Sequence, residues 1–305
     1  MSLEQTKSLT RSLLESRALF FQKIRSFFFE KQVLEVDTPI LVSFPPNDAS
    51  IDIMRVITKM GDRYLASSPE YLMKRLLAQG SNDIFQLSHV YRDGEMGIRH
   101  SPFFTMLEWY RCDFSLERLI QEVLDLIHTL EIIGPVTYGS YRQRFIDATQ
   151  IDPLNTTKDE LIDLLQKRIH SPQNCSLEAL IDAVFIEFVE PTMHHGIHII
   201  SSFLPHQAAL AKIEESDALR FEIYVDGVEV ANGYEELNDP KEITDRFTEW
   251  NKDRATPLNV DPRFIEALPH MPPTSGVAVG VDRLLMIRQK ASTLASILPF
   301  DYSSC

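Results

Sequence analysis

The sequence predicts an α/β fold of the α+β type, a mainly antiparallel sheet flanked by helices. Three observations lead there. The stretches 103–110 and 220–231 alternate side chains at a period of two, and the second turns at Asp226-Gly227, a dipeptide suited to a two-residue hairpin. Other stretches repeat apolar residues at helical spacing. No G-x-G-x-x-G or G-x-x-x-x-G-K-[ST] occurs, so Rossmann and P-loop plans are not expected, and no G-x-S-x-G elbow is present.

A chain of 305 residues, 44% hydrophobic and 24% charged, is long enough for a substantial core. The expectation is one domain over 1–305 with a helical insert at about 134–200. No apolar run approaches the ~20 residues of a membrane span. The opening segment lacks the apolar core and small-residue cleavage site of a signal peptide, so a cytoplasmic enzyme with no membrane partner is expected. Cys112, Cys175 and Cys305 are isolated, which supports neither disulfides nor structural zinc. A net charge of −14 disfavours sequence-blind nucleic-acid binding.

In chain order, Leu9, Leu13, Phe20, Ile24 and Phe27 give residues 3–30 an amphipathic helical pattern. VLEVDTPIL is β-rich, and Pro39 confines it to a sheet edge or boundary, either a plain edge or an interface. Residues 47–66 read as a hairpin turned at Met60-Gly61-Asp62. SSPEYLMKRLLAQG starts a helix at Ser68-Pro69 and stops it at Gly80, with Glu70 favourably placed in the first turn. A strand is expected over 83–92 and another over 103–110. The second puts Phe104, Met106, Glu108 and Tyr110 on one face and a core-like Phe103, Thr105, Leu107 and Trp109 on the other. This is either an ordinary amphipathic hairpin or a seat for a nucleotide and a small cation.

Residues 115–132 form another amphipathic helix. The 134–200 stretch reads as helical and polar, with a capping box at Thr157 and Glu160 and a second helix near 176–189. His194, His195 and His198 fit no zinc spacing, so strand or surface histidines are expected. In the 220–231 hairpin, pairing Val225 with Val228 sets Tyr224 against Glu229 and Glu222 against Ala231, with both carboxylates on one face. That face is either solvated or holds a cation between the carboxylates. A bulge is expected near Gly233. Finally, a small-residue strand over 276–281 runs into a helix at Asp282 and Arg283, where an arginine opposes the helix dipole and so suits function better than stability.

Three of these stretches, VLEVDTPIL, YRDG…RHSPFFTMLEWY and GVAVGVDRLLMI, resemble in order the three motifs of the class II aminoacyl-tRNA synthetase catalytic core, lysine branch. SPEYLMKRLL, FLPHQAALA and GVEVANGYEELND are similar to the same branch, so the resemblance runs from residue 9 to 300. The chain opens at the first core helix, so an N-terminal OB-fold anticodon domain is expected to be missing. Ala278 stands where lysyl-tRNA synthetases usually have glycine. Both features, with the MLEWY ending, are similar to paralogous ligases that attach (R)-β-lysine to a lysine of elongation factor P.

The resemblance implies ATP as substrate, magnesium, a homodimer formed through the first helix and the Pro39 segment, elongation factor P as acceptor, and no tRNA. It implies that Arg92 binds the α-phosphate and Arg283 the γ-phosphate, with Phe104 stacking on adenine. Asp93, Glu95, Arg99, Glu229, Val230 and Gly280 would complete the ATP site, and Glu222 and Glu229 would hold magnesium. Ser68, Pro69, Glu70, Glu108, Tyr110, Asn232 and Glu236 would surround the amino acid. The chain departs from the family at Gly94, where a glutamate is usual and Glu95 follows one residue later, and at Phe103, where the family has glutamate.

Overall fold

The computed structural model describes residues 3–48, 51–166, 168, 175–252, 254, 256–302 and 304. Cys305 and the Leu9 side chain lie outside the described residues. The chain divides into two compact units, Met1–Ile132 with Glu236–Cys305, and Ile133–Glu235.

The first unit opens with helix α1 (Leu3–Glu30), then β1 (Leu34–Glu35), β2 (Leu41–Val42), β3 (Arg55–Thr58), β4 (Gly61–Leu65), α2 (Glu70–Ala78), β5 (Ile84–Tyr91), β6 (Phe103–Cys112) and α3 (Leu116–Thr129). The second unit contributes β7 (Val136–Ser140), α4 (Tyr141–Thr149), α5 (Lys158–Leu165), α6 (Leu177–Val184), β8 (Ile197–Phe203), β9 (Ile213–Glu214), β10 (Asp217–Val225) and β11 (Val228–Glu235). The chain then returns to the first unit with α7 (Pro240–Trp250), α8 (Pro262–Ala267), β12 (Thr274–Gly280) and α9 (Val281–Arg288).

In the first unit the sheet order is β1-β5-β6-β12, antiparallel except for the edge pair β1–β5, and β2-β4-β3 form a separate small sheet. The Pro39 segment accordingly lies at an edge. The turn of the small hairpin is Lys59-Met60 rather than Met60-Gly61-Asp62, because Gly61, at φ +100°, already pairs with Thr58. Under the sheet, Phe28 stacks on Phe85 at 4.5 Å and meets Trp109 edge-on at 5.2 Å. Trp109 Nε1 donates to Glu122, which satisfies the indole inside the core. Above it, α2 lays Met73 and Leu77 against Ile84 and Tyr110. Strand β6 is thus covered on both faces: Met106, Glu108 and Tyr110 are buried as fully as Leu107 and Trp109. The sequence pattern had assigned only the second face to the core.

Asp282, at the start of α9, is buried and joins three elements. Its carboxylate accepts from Thr105 N of β6 at 2.7 Å and from Arg17 of α1 at 2.5 Å.

In the second unit the strand order is β11-β10-β8-β7, with β9 beside β10. The 134–200 stretch is helical as expected but also supplies β7 and β8, short strands that the helical reading absorbed although Gly134-Pro135 and Gly196 precede them. Thr157 and Glu160 form both halves of the expected capping box. A core of Tyr141, Phe145, Leu180 and Val184 closes over β8 and β10, and Tyr141 stacks on Phe185 at 4.4 Å. His198 sits in β8, with its ring nitrogens against Thr137 Oγ1 and His195 O, each at 2.8 Å. His198 is thus a strand histidine, and His194 and His195 are exposed just before the strand.

Candidate active site

The site in the first unit is built on the inner face of β6. Register across the sheet places Gln86 of β5 and Ala278 of β12 on either side of Glu108, and Ile84 and Gly276 on either side of Tyr110. Ser88 and Gly280 flank Met106 in the same way, and Val90 pairs with Phe104. The small residues of β12 make room. A Cβ at Gly276 would collide with Glu236 Oε1 and the Tyr110 ring, so glycine is required there by close approach.

Around this floor a ring of polar groups closes. Ser68 Oγ accepts the Glu70 amide at 2.9 Å, at the entry to α2, and donates to Glu108 Oε2 at 2.8 Å. Tyr110 OH donates to Glu108 Oε1 at 2.6 Å. On the far side, the Lys74 ammonium contacts Glu70 Oε1 and Glu236 Oε2, each at 2.6 Å. Ser68, Pro69, Glu70, Glu108, Tyr110 and Glu236 are therefore assembled in one place, with Pro69 at the helix cap.

Burial governs the titration of this ring. It pushes Glu108 up to about 8, with the Glu70 charge adding to the rise and the Tyr110 and Ser68 hydrogen bonds opposing it. Tyr110 is raised well above its ordinary value by burial and by the Glu108, Glu70 and Glu236 charges. Burial alone would lower Lys74, but Glu236 and Glu70 more than reverse this and keep it protonated. The ring is thus a largely buried acidic cluster that already contains one cation.

The arginine cluster lies at the other end of β5 and β6. Arg92 follows β5, stands 5.1 Å over the Phe104 ring and reaches Glu95 at 3.4 Å. Its amide donates to Pro102 O at 2.9 Å, which closes the loop between the strands. Asp93 is held locally: its amide donates to Asp52 O, and its carboxylate accepts from Gly94 N at 3.0 Å. Gly94 has φ +75°, a conformation unfavourable for the glutamate usual in the family. Glu95 supplies the carboxylate one residue on and faces Arg92. Arg283, in the first turn of α9 just after Gly280, donates through Nε to Arg99 O at 3.4 Å. Phe103 pairs with Tyr91 and lies on the opposite face from Phe104.

Glu222, Glu229, Val230 and Asn232 belong to the hairpin β10–β11 of the second unit. A bulge comes earlier than expected. The ladder shifts between Ile223 and Tyr224, leaving Val230 as the extra residue, so Glu222 pairs with Asn232 and not with Ala231. Glu222, Tyr224, Glu229 and Asn232 consequently share a face. Glu222 accepts from Arg220 and, at 2.7 Å, from Tyr224 OH, while Arg220 Nε donates to Asn232 Oδ1 at 3.1 Å. Magnesium needs only one or two protein carboxylates when it arrives with phosphate and water ligands. The two glutamates fit that requirement. Among the described residues no group of three or more His, Cys, Asp or Glu could cage an ion alone.

Residues 2–303 match the family of tRNA synthetases class II (D, K and N). The chain belongs to the class II tRNA synthetase family. Like other class II synthetases it is an ATP-using enzyme that forms an aminoacyl-adenylate, on a mixed α/β fold with a mostly antiparallel sheet. It is 40% identical to an elongation factor P–(R)-β-lysine ligase of Haemophilus influenzae, with 93% of each chain covered. It is 39% identical to the protein of that name from Histophilus somni over 99% of each chain, and 38% to that of Erwinia tasmaniensis over 95% and 94%.

Two residues of this assembly escaped the sequence reading. Lys74 reads as an ordinary partner for Glu70 one helical turn away. Gln86 is buried beside Glu108, and its Oε1 has no hydrogen-bond partner among the described residues. Period two in β5, carried across from Glu108, is the pattern that points to it.

Proposed function

We propose that this chain activates (R)-β-lysine, or a closely similar diamino acid, with ATP and transfers it to a lysine side chain of elongation factor P. The observation that carries this reading is the match to ligases of that name along 93–99% of both chains. The acidic ring supports the substrate class. Three carboxylates in a buried pocket favour a ligand that brings two ammonium groups, because pairing must offset their desolvation.

Ser68, Glu70, Glu108, Tyr110 and Glu236 orient the diamino acid. Phe104 seats the adenine. The substrate carboxylate is already ionised, so no general base is needed for its attack on the α-phosphorus. The P–O bond to pyrophosphate breaks as the new P–O bond forms, and pyrophosphate leaves. Arg92 and Arg283 align the triphosphate and neutralise the charge that develops on it, with Asp93, Glu95, Arg99, Val230 and Gly280 shaping the nucleotide site. Magnesium, held by Glu222 and Glu229, would supply further neutralisation of phosphate charge. The neutral amine of the acceptor lysine then attacks the acyl carbon, AMP leaves, and the amine gives up a proton as the amide forms. This chemistry runs in the cytoplasm, where the acceptor functions in translation.

The protein acts as a homodimer through α1 and the β1–β2 segment. Phe29 and Leu34 are exposed there beside a groove of about 610 Å³ lined also by Ala18, Gln22 and Phe85.

The test is to incubate the protein with ATP, magnesium, (R)-β-lysine or lysine, and elongation factor P, and to weigh the factor by mass spectrometry. The expected result is a gain of one lysyl residue, greater with (R)-β-lysine. An unmodified factor alongside base-labile charging of tRNA would instead make the chain a tRNA synthetase. No amino-acid-dependent ATP–pyrophosphate exchange at all would mark a silent relative.

A further inference from the structure

The acidic ring contains an ammonium group of its own. Lys74 is the only lysine among the described residues that is fully buried. Its nitrogen lies midway between a carboxylate of its own helix, Glu70, and one 162 positions further along the chain, Glu236, at 2.6 Å from each. An exposed i,i+4 pair would have neither this burial nor the distant partner. The contacts take up one oxygen of each carboxylate. Glu236 Oε1 stays over Gly276 beside the Tyr110 ring.

The charges decide what such a group does. Glu70, Glu108 and Glu236 confined together would repel one another, and burial would drive protons onto them. One fixed ammonium leaves the fully ionised ring two negative charges, the number that two substrate ammonium groups cancel. We propose that Lys74 is a positioning residue for substrate recognition: it pins Glu70 and Glu236 before substrate arrives and restricts the pocket to ligands carrying two positive charges. This rests on the reading of the ring as the amino-acid site. The titratable groups that face it are Glu70 from α2, Glu108 and Tyr110 from β6, and Glu236 from the segment after β11.

The test is amino-acid-dependent ATP–pyrophosphate exchange by wild type and Lys74→Met from pH 6 to 9. In the variant Glu70 and Glu236 lose their shared counter-ion. KM for the diamino acid should rise at least about tenfold, with a pH profile different from that of wild type, while KM for ATP is unchanged. Lys74→Ala should regain activity with added n-propylammonium and not with n-propanol. A folded Lys74→Met with wild-type KM and pH profile overturns the proposal, as does a loss that no amine rescues. Should neither variant fold, the wild type decides by NMR of chain labelled at lysine ¹⁵Nζ. One ammonium resonance protected from exchange, and retained when the diamino acid binds, supports the proposal, and its absence overturns it. Wild type that exchanges with neither lysine nor (R)-β-lysine overturns the reading of the ring and the proposal together.

Discussion

Glu108 shows how one residue can carry both recognition and pH dependence. Its carboxyl is buried, beside Glu70, and pushed from 4.5 to about 8. Between those values the folded, substrate-free chain holds a proton that the unfolded chain has lost, so this group makes stability fall as pH rises through that window. Above about 8 both states are ionised and the penalty is constant. An incoming ammonium reverses the preference, because it favours the carboxylate and displaces the proton. KM for the diamino acid should therefore fall as pH rises from 6.5 towards 8. Glu108→Gln should raise KM, abolish that slope, and flatten the pH dependence of the melting temperature over the same range. Pyrophosphate exchange and thermal melts in matched buffers measure both; a slope that survives in the variant assigns the titration to another group.

At the scale of elements, the tie among α1, α9 and β6 holds the arginine-bearing helix in place. Asp282 is buried and Arg17 largely so, and Thr105 N depends on the same carboxylate. Asp282→Ala takes the acceptor from Arg17 Nη1 and from the Thr105 amide and leaves Arg17 only its bond to Thr105 Oγ1, so it should cost about 3 kcal/mol in urea unfolding, whereas Lys241→Ala, at an exposed pair on α7, should not change the midpoint measurably. The elements were readable to different degrees. Strand β6, the β10–β11 turn at Asp226-Gly227 and the helix after Ser68 follow directly from period and turn chemistry. The bulge at Val230 did not, because a single extra residue leaves the alternation on either side intact. Lys74 was missed for a similar reason: helical spacing pairs it with Glu70, and only the fold brings Glu236 to it. The carboxylates of the ring were identifiable from motif resemblance, but their burial was not.

At the scale of the whole molecule, the exposed apolar strip on α1 and β1 makes self-association the expected state. Phe29→Asp should yield monomers in light scattering at micromolar concentration with the fold intact by circular dichroism. A wild type that is already monomeric there refutes the dimer. The order of synthesis follows from the division of the chain. The second unit is continuous, whereas the first is interrupted at Ile132 and resumes at Glu236. Strand β6 must wait for β12, more than 160 residues later, before that edge is paired. Until then a nascent chain displays an apolar strand edge, and this long-range closure is slow by its topology. Premature termination anywhere between the two strands would leave that edge open, so truncated products of this gene should be aggregation-prone and handled by chaperones or proteases rather than persisting as partial enzymes.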